Sequence, residues 1–203
     1  MDSSSQKGKE NKKIIDANTV PIPVGEKPKN IRIITNTSKR PSKEQIVNKA
    51  INFQLEGNLS EAARIYQYCI NQDFNDHRVF SNYGVILKNI GKLQEAELLT
   101  RKALELNPNF ADAHFNLGII LKNLGKLQKA ELSARKALEL NPNFADAHSI
   151  LGIILKNLGK LQEAELLTRK ALDINPSFAE AHSNLGGILI DLGKLQEAES
   201  SLN

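Results

Sequence analysis

The residues able to carry chemistry here are few, and their spacing decides what they can do. His114, His148 and His182 recur every 34 residues, and histidine is the commonest metal ligand. Equivalent positions in successive copies of one helical unit are separated by packed helices about 8–10 Å apart, whereas zinc holds its nitrogen ligands at about 2 Å. The three rings therefore cannot share a metal; they read as packing groups at the edge of a core, and neither metal nor cofactor is expected. Cys69 is the single cysteine and stands where later copies carry Ala103 and Ala137. It reads as a small buried side chain rather than a reactive thiol. The glycines form no phosphate-cradling pattern after a strand. Glu and Lys around Gln94–Glu97 and Gln162–Glu165 are expected on solvated helix faces. No nucleophile, base and orienting group converge, so the chain is not expected to be an enzyme.

What remains is the chemistry of recognition. Asn48, Asn82, Asn116 and Asn184 occupy one register position, with Ile150 interrupting the series. Six and seven residues on come Lys88 and Asn89, Lys122 and Asn123, and Lys156 and Asn157. Asparagine is unfavourable inside a helix, so a recurring one asks for a reason. A side-chain amide both donates and accepts, and can pair with a peptide backbone of any sequence. Each such bond is worth about 1 kcal/mol net. The lysines would add a preference for acidic ligands if their ammonium groups face the ligand instead of snorkelling to the rim.

These positions are set by a repeat of 34 residues: Ala111 to Phe144 is followed by a near copy, Ala145 to Phe178. A fixed period of this size marks stacked supersecondary units. Ala113, Leu117, Ile120, Leu121 and Leu124 form an apolar stripe of helical period, and Leu127, Ala130, Ala134, Ala137 and Leu138 form a second. Gly125 separates them, since glycine enters the left-handed conformation without steric cost. Asn141 and Pro142 stop the second helix, and Asn143 is expected to cap the next one. The unit is a hairpin of helix A and helix B, with Gly118 and Ala130 facing each other at the closest approach. A bulky residue at Gly118 should overpack this contact by about 1–3 kcal/mol. One hairpin cannot bury both faces, so stability must come from neighbours.

The residues Leu117, Gly118, Ala130, Ala137 and Pro142 match the signature of the tetratricopeptide repeat (TPR), which the chain resembles over residues 43 to 203; His114 and Ala134 stand where that repeat usually has aromatics. The resemblance implies an all-α fold, a right-handed α-α superhelix of about five hairpins: 43–76, 77–110, 111–144, 145–178 and an incomplete 179–203. In that family helix A lines the concave face. The resemblance thus makes Asn48, Asn82, Asn116, Asn184, Lys88, Asn89, Lys122, Asn123, Lys156 and Asn157 a peptide-binding groove. The asparagine row and phrases such as NPNFADAHFNLG are also similar to the TPR superhelix of O-linked N-acetylglucosamine transferases, without their sugar-nucleotide domain. The carboxylate clamp of chaperone-binding TPR domains is missing, because Val47, Ile51, Asp112 and Asn116 stand at its places.

Residues 1–42 carry nine Lys/Arg against four acids, net +5, while the whole chain is +4; the repeats are therefore at −1. That segment has no helical period and is expected to be a disordered basic arm, with IRIITNT (residues 31–37) as its one apolar stretch. It reads as a solvated tail rather than a nucleic-acid contact. With no apolar signal segment, no run of about eighteen apolar residues and a lone cysteine, a cytoplasmic protein is expected. The leading expectation is a non-catalytic interaction scaffold that binds a protein or peptide segment, not a small molecule or a membrane. Two other readings stand beside it: the recruitment fragment of a longer glycosyltransferase or other transferase, and a module that self-associates through the incomplete fifth hairpin. The early stop of that hairpin is expected to mean a fragment or an end covered by another molecule.

Overall fold

Gly125 has φ 72°, a backbone conformation that side chains resist, and its N–H and that of Lys126 reach back to the carbonyls of Lys122 and Leu121. The chain so reverses between two helices. The same turn recurs through the computed structural model, which describes residues 41–202. Its helices are α1 Lys43–Leu55, α2 Leu59–Asn71, α3 His77–Asn89, α4 Leu93–Leu106, α5 Ala111–Asn123, α6 Leu127–Leu140, α7 Ala145–Asn157, α8 Leu161–Ile174, α9 Ala179–Asp191 and α10 Leu195–Leu202. No strand occurs among the described residues. The expected disordered arm and its apolar stretch lie outside them, apart from Pro41 and Ser42. Ser42, grouped with the arm by composition, closes a capping box with Gln45 at the start of α1.

Odd-numbered helices are the A helices and even-numbered ones the B helices. Each A helix packs on its own B helix, each B helix on the following A helix, and each A helix on the next A helix. Among the described residues successive B helices make no such close backbone contact and meet only through long side chains. The A helices therefore crowd together on one side of the stack and the B helices splay on the other. Burial crosses the hairpin boundaries: Leu117 and Leu121 of α5 share a core with Ala130 and Ala134 of α6, Ile150 and Ile154 of α7, Ala164 of α8 and Ile188 of α9. Ile120, on the opposite flank of α5, packs back against Leu87 and Ala96. This is the nesting that stacked hairpins require.

Gly118 and Ala130 do face each other: a methyl group built on Gly118 would sit 3.5 Å from the Ala130 carbonyl oxygen. The expected Asn143 cap is displaced by one residue. Phe144 holds the N-cap position of α7 and makes no side-chain cap bond; its N–H instead donates to the Asn141 carbonyl. The turn is secured from elsewhere. Nε2 of His114, His148 and His182 donates to the carbonyl of Pro108, Pro142 and Pro176, each at 2.9 Å. The recurring histidines thus tie each proline turn to the helix that follows it. Nδ1 of His148 is buried without a partner among the described residues.

Candidate functional site

The crowded side of the stack is built from A helices, and the residues that the sequence singles out all lie on A helices. Asn48 is exposed, while Asn82, Asn116 and Asn184 are half-buried. Ile150 is buried at the fourth place and belongs to the core. The amides are not equally available. Asn184 donates to the Ser149 hydroxyl at 3.1 Å, across the A-to-A contact. Asn82 lies close enough to the Tyr66 hydroxyl, and Asn48 to the Glu44 carboxylate, to pull their pKa values down. Asn116 has no partner among the described residues. An amide offers two donor hydrogens and an acceptor oxygen, so each engaged asparagine keeps capacity for a ligand.

Tyr66 was not singled out by its sequence position, yet it shapes the first part of this surface. Its side chain is fully buried and its hydroxyl donates to Gln54 Oε1 at 2.9 Å. Burial pushes its pKa up to about 12, against the opposing pull of Asn82. Tyr83, whose hydroxyl donates to Gln67 Oε1 at 3.2 Å, stacks at a tilt 6.5 Å from it. The amides of Gln54 and Asn82 are thereby held at fixed places around one phenol.

The three lysines divide into two kinds. Lys156 of α7 donates to the Gly187 carbonyl of α9 at 3.1 Å and pairs with Asp191 at 3.3 Å. Lys88 and Lys122 are half-buried and have no carboxylate or carbonyl partner among the described residues. Burial pushes the Lys88 ammonium pKa down, and the nearby Lys122 charge pushes it the same way. Asn89, Asn123 and Asn157, which close the A helices, are exposed beside them.

Elsewhere the chemistry is structural. Cys69 is fully buried and unpaired, and burial pushes its thiol up to about 11, which keeps it protonated at neutral pH. A shallow cleft of about 300 Å³ lies between Lys43, Val47 and Phe74. Its charges are spent internally, with Arg78 bridging Glu44 and Asp76 at 2.7 Å each and Lys43 over the Phe74 ring. Among the described residues no three His, Cys, Asp or Glu are grouped to hold a metal, and no helix is long and apolar enough to cross a membrane.

Of the glutamates expected to be solvated, Glu163 is 40% exposed, but Glu97 and Glu165 are largely buried, as is their equivalent Glu131. Glu97, Glu131 and Glu165 are only 15%, 12% and 13% exposed. Each takes an arginine one turn on (Arg101, Arg135, Arg169) and a lysine from the next hairpin (Lys126, Lys160, Lys194). This is a seam between B helices, on the side away from the asparagine row.

Models of the tetratricopeptide repeat match residues 77–110, 111–144, 134–165 and 151–203. Among solved structures the chain is similar to MamA (24% identity, TM-score 0.66, 75% of this chain and 90% of that one). It is also similar to MamA 41-end from Desulfovibrio magneticus RS-1 (23%, 0.68, 78% and 89%). A third similar structure is YrrB, a TPR protein with an unusual peptide-binding site (24%, 0.64, 77% and 81%). At these identities the likeness establishes the fold. No curated protein matches the sequence.

Proposed function

Because the chain belongs to the tetratricopeptide-repeat family, whose models together span residues 77–203, we propose that it is a non-catalytic scaffold holding an extended peptide or partner segment along its A helices. The observation that carries this reading is the row Asn82, Asn116 and Asn184: half-buried amides at one register position of α3, α5 and α9, with Ile150 of α7 between the last two, each with hydrogen-bonding capacity unspent. An extended backbone crossing the row would meet a side-chain donor and acceptor at the second, third and fifth hairpins, and an apolar side chain, Ile150, at the fourth. YrrB, similar in fold and described as a TPR protein with an unusual peptide-binding site, is in keeping with peptide binding by such a stack. So does the resemblance of the row to the transferase superhelix.

The test is a selection from a library of unstructured peptides on the full chain, followed by affinity measurement on the variant Asn82→Ala/Asn116→Ala/Asn184→Ala. At about 1 kcal/mol for each bond lost, the triple variant should bind selected peptides roughly a hundredfold more weakly with its helical circular dichroism unchanged. Retention of wild-type affinity would remove the amide row from the binding account.

A further inference from the structure

Three lysines share one register position, yet only one is satisfied by the protein itself. Lys156 has two partners, and both arise from departures in the fifth hairpin. Gly187 stands where the preceding hairpins carry Ile119 and Ile153, and the Lys156 ammonium lies 3.0 Å from where a Cβ on that glycine would be. Asp191 stands where they carry Asn123 and Asn157. At the places equivalent by register stand Ile119 and Asn123 for Lys88, and Ile153 and Asn157 for Lys122, and neither lysine finds an anion among the described residues. Two like charges are thus kept half out of water on neighbouring A helices, α3 and α5, which pack together. Such an arrangement raises the energy of the empty protein, and a bound anion would relieve it.

We infer that Lys88 and Lys122 form an anion subsite for two carboxylate side chains, at positions i and i+2 of an extended acidic segment lying in the groove. This rests on the peptide-binding reading above and names the chemistry of the ligand. The spacing supports it. Side chains i and i+2 of an extended strand point the same way about 6.7 Å apart, close to the roughly 8–10 Å between packed helix axes once flexible lysine stems take up the difference. Asn89 and Asn123, exposed at the helix ends, can hold the peptide backbone between the two charges. Lys156 takes no part, because Asp191 already fills its place.

The experiment measures fluorescence anisotropy on the full chain, in about 0.1 M salt. The probe is an unstructured peptide with the core Ser-Glu-Ser-Glu-Ser, and its twin carries Gln for Glu. The acidic peptide should bind at least about tenfold tighter than the twin, and Lys88→Gln and Lys122→Gln should each cost about tenfold. Both variants shed a repelled charge, so both should remain folded, with thermal midpoints no lower than wild type. Asn123→Asp and Asn157→Asp reproduce the relation of Asp191 to Lys156. They should weaken the acidic peptide by a similar factor with both lysines intact, while Lys129→Gln, which removes an exposed lysine from the B helix α6, should leave the affinity unchanged. Wild-type affinity in the Lys88→Gln/Lys122→Gln double variant would overturn the subsite and assign the binding to other basic residues, those of the first 42 included. A phosphoserine peptide binding tenfold or more tighter than the acidic one would overturn the carboxylate assignment. Equal binding of probe and neutral twin would overturn the subsite while leaving the groove itself to the library selection.

Discussion

A methyl group built on Gly152 would run into the Thr168 hydroxyl, which is already bonded to the Ala164 carbonyl at 2.8 Å. Gly84 stands in the same relation to Thr100, at 2.7 Å. At Gly118 the residue sixteen further on is Ala134, and the added methyl would rest 3.5 Å from it, in ordinary contact. The three equivalent glycines therefore differ in what they forbid. Gly118→Ala should hold or raise the urea midpoint, since alanine is about 1 kcal/mol better than glycine in a helix. Gly152→Ala should lower stability by about 1–2 kcal/mol net, overpacking outweighing the same propensity gain. Equal shifts in the two variants would refute the steric distinction. The sequence alone singles out Gly118 as a contact point, but the ranking depends on whether a threonine or an alanine sits across from it. That pairing becomes visible only when the two helices are set against each other. Tyr66 escaped notice for a related reason: its importance comes from touching Gln54 and Asn82, which lie on two other helices.

Helices and their boundaries were legible because glycine, proline and apolar period all act within one turn of the chain. The ion pairs along the B helices were only half legible. The pairs Glu97–Arg101, Glu131–Arg135 and Glu165–Arg169 have helical spacing, but their bonds to the next hairpin span 28 or 29 residues, as in Arg135–Glu163 and Lys160–Glu131. That offset reflects the tilt of one hairpin on the next, which no local pattern encodes. Once seen, it exposes an irregularity. Arg135 and Arg169 reach Glu163 and Glu197, whereas the residue at the same offset from Arg101 is Lys129. Lys129→Glu would complete the row. We expect it to stabilise the protein by about 0.2–1 kcal/mol at low salt, the range for exposed pairs. The gain should shrink as salt screens the pair. A urea titration at low and high salt reads both effects, and a destabilising result would show that Arg101 does not face that site.

Across the described stack, every helix contact lies within a hairpin or joins it to the adjacent one, so the junctions determine how far a disturbance spreads. The A side joins them mainly by apolar burial, which pH does not touch, with ion pairs at Arg78–Glu44 and Lys156–Asp191. The B side joins them through Glu97, Glu131 and Glu165. Burial pushes the carboxyl pKa of Glu97 and Glu131 up, but the lysine and arginine bonded to each outweigh it and leave the net value below the usual carboxylate range. For Glu165 the Lys194 hydrogen bond is itself the largest influence, with the same net direction. A carboxylate whose folded pKa is depressed contributes stability that is complete above its unfolded value, about 4.3 for glutamate, and is lost as pH falls through the folded value. Unfolding free energy should therefore stay nearly level from neutrality to about pH 5 as far as these groups are concerned, and then drop steeply. Asp76 is held down by Arg78 in spite of its burial and adds to the same decline. The variant Glu97→Gln/Glu131→Gln/Glu165→Gln should be less stable than wild type at neutral pH, and its loss below pH 5 should be shallower, because three of the groups that bind protons on unfolding are gone. Urea midpoints measured from pH 7 to 3 on both proteins make the comparison. Parallel curves would mean that the seam contributes nothing beyond solvated charge, and that the junctions are held by apolar burial alone.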